Sequence, residues 1–171
     1  MMKNTWEGRQ RPHIEHITSL FENEVLGAFI SGHLVLEAIL VQMLETKPSA
    51  DDNGKYFDWS FRRKIDSAEA RNLIDAGMAT FLRGVNDIRN RMAHKLDMPL
   101  TFEDAFELVR LAASGGVDFS DDSIHSDREA SLQCYGIEGI IQEVFQNASQ
   151  DLLFTLDDDN YLHQFIGIRN A

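Results

Sequence analysis

Residues 23–47 read NEVLGAFISGHLVLEAILVQMLETK, and this stretch decides the fold. Apolar side chains fall on nearly every face of a helix drawn through it, and such a helix belongs at the centre of a bundle. A run of this length could also cross a membrane. His33, Glu37 and Gln42 interrupt it, however, and polar or ionisable groups are costly in hydrocarbon, so the expected place is a protein core. Gly32 lowers helix stability by about 1 kcal/mol relative to Ala, which points to a close approach by another helix there.

Working outward, HIEHITSLF (13–21) predicts a short amphipathic helix before this one, and PSADDNGK (48–55) a loop after it. In FDWSFRRKIDSAEARNLI (57–74), Phe57, Phe61, Ile65 and Ala68 recur at threes and fours, which is helical spacing. A further helix is expected from about Ala76 to His94, its stripe built from Met78, Phe81, Leu82, Val85, Ile88 and Met92. Pro99 enforces a stop shortly beyond. TFED (101–104) places Thr101 as an N-cap with an acidic residue three positions on, a capping-box variant, and Gly115 and Gly116 end the helix it opens. VDFSDDSIHSDRE (117–129) reads as surface loop. GIEGIIQEVFQNASQDLLFTL (136–156) reads as an amphipathic helix, and Tyr161 to Ile166 as a short final one. No segment alternates as a strand does. The expectation is an all-α bundle of five to seven helices in a single domain.

The chain has 171 residues and a net charge of −12, which argues against a protein that coats nucleic acid. The charge is uneven. Residues 55–95 hold nine Lys or Arg against five Asp or Glu, whereas residues 96–171 hold three against fifteen. A single cysteine, Cys134, and an N-terminus without an apolar leader run lead us to expect a reducing, cytoplasmic setting, with no membrane partner. His13 and His16 have no cluster around them to complete a metal site, no glycine-rich phosphate loop is present, and we expect neither metal nor cofactor.

The basic block ends in IRNRMAHK (88–95), which places Arg89, Asn90, Arg91 and His94 near a helix terminus. At 100° per residue from Val85, Arg89 lies about 40° away, Asn90 about 140° and His94 about 180°. His94 therefore points away from its own helix's core, and Asn90, four residues earlier, can orient the imidazole. Arg89 sits at the edge of the buried seam, where its charge needs a partner; Glu37 on the central helix is the candidate. His33, four residues before Glu37, forms a core pair with it or joins it in positioning Arg89. Cationic side chains also suit the last turns of a helix for dipole reasons alone.

The string Arg89, Asn90, two residues, Ala93, His94, set among GHLVLEAILVQML, FRRKIDSAEA and LTFEDAFELV, resembles the HEPN superfamily, the higher eukaryote and prokaryote nucleotide-binding helical bundles. It looks especially like the relatives grouped with the mannitol-operon-repressor-like proteins. The resemblance covers roughly residues 25–112 and implies a HEPN-like core over about 12–114 with a C-terminal helical extension over about 128–171. It further implies a homodimer whose seam pools the motif residues, and metal-independent endoribonuclease activity on RNA in stress, toxin or defence biology. Arg89 and His94 would be catalytic, Asn90 would assist them, and a neutralising protein partner can accompany such an enzyme. Arg91, Glu37 and His33 would support the site. The competing expectation is a non-enzymatic regulatory or interaction protein in which the motif holds the fold or the dimer together. Pooled arginines would also suit a nucleotide-sensing module.

Overall fold

The structure, a computed structural model, describes residues 23–50, 54–94 and 99–157. The short helix expected at 13–21, His13 and His16, and the expected final helix at 161–166 lie outside the described residues. Within the described residues there are seven α-helices, one short 3₁₀ turn and no strand. They run as α1 (Glu24–Thr46), the 3₁₀ turn (Tyr56–Asp58), α2 (Phe61–Ala70), α3 (Ala76–His94), α4 (Phe102–Ser114), α5 (Ser123–Ser126), α6 (Arg128–Cys134) and α7 (Gly136–Asp157). The protein is an all-α bundle.

Helix α1 is the axis of the bundle. Asn23 caps it, its side chain accepting from the Leu26 amide at 2.9 Å. The helix buries Phe29, Leu36, Ile39, Leu40, Met43 and Leu44, packing most extensively on α7 and then on α2. By length and composition alone α1 could cross a membrane. Gly32 performs the role expected of it: a Cβ there would stand 2.2 Å from Cγ of Phe145 on α7, so only glycine lets that ring seat against the helix backbone. Phe145 in turn meets Phe29 edge-on, with ring centroids 5.3 Å apart. The C-terminal helix is thus part of the core, burying Ile140, Ile141, Val144, Ala148, Leu152 and Leu156.

Helix α2 begins later than its apolar spacing suggested. Ser60 caps it, its hydroxyl accepting from the Arg63 amide, and the preceding residues form the 3₁₀ turn. Phe57, expected on the buried stripe, is 74% exposed, because the turn commits Tyr56 and Trp59 to the core instead. Helix α3 runs from Ala76 to His94, as the pattern predicts, with Asp75 Oδ1 accepting from the Met78 amide at 2.7 Å. Thr101 and Asp104 form both halves of the capping box that opens α4. Where α4 ends, Gly115 crosses the start of α3 so closely that a Cβ on Gly77 would lie 2.9 Å from its Cα. The stretch 117–129 departs from the expected loop: it buries Val117, Phe119 and Ile124, and its second half winds into α5 and the start of α6. Acidic composition had masked three apolar anchors spaced through it.

Candidate functional site

The end of α3 carries its polar residues on two opposite sides. Arg89 and Arg91, two residues apart, stand about 160° from each other around the helix axis. Arg91 faces α4, where its Nη2 donates to Asp104 Oδ1 at 2.5 Å. Partial burial pushes the Asp104 carboxyl up, but the bonds from Arg91 and Thr101 outweigh it and hold the group below its ordinary range. Arg91 is therefore a clasp between the end of α3 and the capped start of α4. Beside it lies an open groove of about 330 Å³ whose polar lining is mostly acidic, with Asp87, Glu103, Asp104 and Glu107.

Arg89 faces the other way, toward α1, and is exposed. Its Nη1 donates to Asn90 Oδ1 at 3.3 Å, so the amide expected to orient His94 is engaged with the arginine. His94 is the last residue of α3, and its side chain lies outside what the structure describes.

The partner expected for Arg89 is taken. Glu37 Oε1 receives Lys64 Nζ of α2 at 2.5 Å, and the same ammonium donates to the Phe57 carbonyl at 3.3 Å. The Lys64 side chain is 1% exposed and that of Glu37 24%. An ammonium so deeply placed requires a carboxylate, whereas a guanidinium at the bundle's edge can remain in water; the buried cation therefore captures Glu37. Lys64 was legible in principle. It stands three residues after Phe61 and four before Ala68, inside the buried stripe of α2 rather than beside it.

His33 lies between these charges. It is buried, its ring packs against Phe61 with centroids 4.4 Å apart, and its Nε2 has no hydrogen-bond partner among the described residues. Burial lowers the imidazole's pKa; Glu37 opposes that shift, and the charges of Arg89 and Lys64 reinforce it. The structure thus brings His33, Glu37, Lys64 and Arg89 to one junction of α1, α2 and α3. Arg91 stands apart from it. Asn86, one turn before Asn90 and buried, shares that side of α3; its polar side chain beside the charged Asp87 gave no sign of this.

Besides Lys64 and Arg91, four more cations among the described residues are matched by carboxylates. Arg62 and Arg83 share Asp66, Arg83 also reaches Glu69, and Arg110 and Arg128 pair with Glu107 and Glu103. Arg89 and Arg63 have no such carboxylate among the described residues. Among the described residues no group of three or more His, Cys, Asp or Glu side chains is arranged to hold a metal ion. No family model, curated protein or solved structure gives a significant match to this chain.

Proposed function

We propose that the protein binds RNA and cleaves it without a metal ion, in the manner of the HEPN ribonucleases that its Arg89-to-His94 string resembles. The observation that carries this reading is the state of Arg89: exposed, turned away from the acidic groove and, among the described residues, without a carboxylate partner, Glu37 being held by Lys64. A guanidinium in that state can clamp a phosphate through two parallel N–H donors and stabilise the charge that develops on it. His94 accepts the proton of the ribose 2′-hydroxyl as that oxygen attacks phosphorus. The P–O2′ bond forms, the P–O5′ bond breaks, and a proton is delivered to the departing 5′-oxygen. The products are a 2′,3′-cyclic phosphate end and a 5′-hydroxyl end. The 2′-hydroxyl makes RNA the substrate and excludes DNA. Two copies of the chain with their α3 ends facing each other would pool two arginines and two imidazoles, so that the His94 of one protomer takes a proton while the other gives one.

A second reading, a regulatory protein without enzymatic activity, draws on Arg91, whose bond to Asp104 gives part of the motif a purely structural task. The experiment that separates the two uses purified protein, single-stranded RNA and EDTA, with a His94→Ala variant matched for stability and oligomeric state. Cleavage by the parent and none by the variant is the expected result. No cleavage by either across several RNAs would leave the regulatory reading.

A further inference from the structure

Phe57 is the most exposed of the large apolar side chains named among the described residues, at 74%, yet the turn that carries it is firmly held. Tyr56 and Trp59 on either side are buried and meet edge-on at 5.0 Å, and the Phe57 carbonyl accepts from the buried Lys64 ammonium. The ring is therefore displayed on a fixed base. Next to it, Arg63 lays its guanidinium 3.8 Å above the Trp59 ring. That stacking uses the face of the guanidinium and leaves its N–H edge to the solvent. Arg63 is exposed and, like Arg89, has no carboxylate partner among the described residues, in a chain whose net charge is −12. Lys64, adjacent to Arg63, binds Glu37; Glu37 is one helical turn from His33, and His33 feels the charge of Arg89. One acidic residue, the exposed Asp58, adjoins the ring.

We propose that Phe57 and Arg63 form a receiving surface for unpaired RNA, with a base stacked on the Phe57 ring and an adjacent phosphate held by Arg63. The inference rests on the RNA reading above and adds to it the form of the substrate. A base inside a duplex offers no free face, so the surface selects single strands. It also explains why an aromatic ring is left outside a core only one residue away.

The test measures fluorescence anisotropy of a labelled ten-nucleotide oligouridylate, alone and annealed to its complement, in EDTA, on protein carrying His94→Ala so that the probe stays intact. Phe57→Ala is expected to weaken single-strand binding by about tenfold and to leave duplex binding nearly unchanged. Phe57→Trp retains affinity while Phe57→Leu does not, which separates stacking from a merely apolar contact. Arg63→Ala lowers the slope of log affinity against log salt by about one. Unchanged single-strand affinity in Phe57→Ala, with affinity still lost in Arg89→Ala, would overturn this inference and leave the RNA reading standing. No binding by the parent would overturn both. A change of oligomeric state in Phe57→Ala without a change in RNA affinity would assign the ring to a protein contact and overturn the inference as well.

Discussion

Replacing Lys64 by Met isolates the charge at the centre of the α1–α2–α3 junction. The Met side chain is close in length to the lysine stem and apolar, so it keeps most of the packing of a residue that is 1% exposed. What it removes is an ammonium 2.5 Å from Glu37 Oε1 and 3.3 Å from the Phe57 carbonyl. Breaking a buried ion pair by deleting one partner costs about 3–5 kcal/mol. Glu37 keeps 24% of its side-chain surface and can recruit water, so the cost of Lys64→Met falls at the lower end, about 3 kcal/mol. Glu37→Gln leaves the better-buried ammonium with weaker partners and costs about as much or more. The double variant removes both charges together, and its cost falls short of the sum of the singles by about 2 kcal/mol or more. Denaturant unfolding of the four proteins at pH 7.5 gives these values from the midpoints, provided that the slopes agree. Single variants that each cost less than about 1 kcal/mol and add independently would refute the buried pair, and with it the reason Arg89 does not reach Glu37.

Gly32→Ala drives a Cβ into the Phe145 ring, and an overpacking cost of about 1–3 kcal/mol outweighs the helix propensity of about 1 kcal/mol that Ala contributes. A lowered Tm is expected, partly restored by Phe145→Leu. His33 is held neutral by burial, with Arg89 and Lys64 adding to that effect and Glu37 opposing it. Its folded pKa lies below its unfolded value, so its contribution to stability is present above about pH 6.5 and is lost as pH falls toward the folded pKa. Stability of a His33→Leu variant measured between about pH 6.5 and 5 should therefore fall less steeply than that of the parent. Thr101→Ala removes the cap of α4 and costs about 1 kcal/mol in chemical unfolding, without detaching the Arg91–Asp104 bond.

The helices were legible because their signals are local. The 3.6-residue spacing of Met78 to Met92, the Thr101 cap and the glycine pair at 115 and 116 each act within a turn or two, and each stands where the pattern put it. Phe57 was misplaced because spacing alone cannot weigh Ser60, whose cap starts α2 four residues later than the apolar repeat. The partner of Glu37 was misassigned for a different reason. Helical geometry identifies a charge at the edge of a seam, but which of two cations reaches a carboxylate depends on how deeply each is buried, a property of the packed bundle. Arg91 was grouped with Arg89 in one site, although two residues on a helix stand about 160° apart; its bond to Asp104 and the acidic groove beside it required α4 to be in place.

The most direct test compares Arg89→Ala with Arg91→Ala in the EDTA cleavage assay, each checked for unchanged oligomeric state. Arg89 is free to meet a phosphate and Arg91 is bound to Asp104, so the first variant should lose cleavage with its Tm unchanged. The second should keep cleavage within a few-fold while its Tm falls. Cleavage that survives Arg89→Ala and disappears in Arg91→Ala would contradict the account.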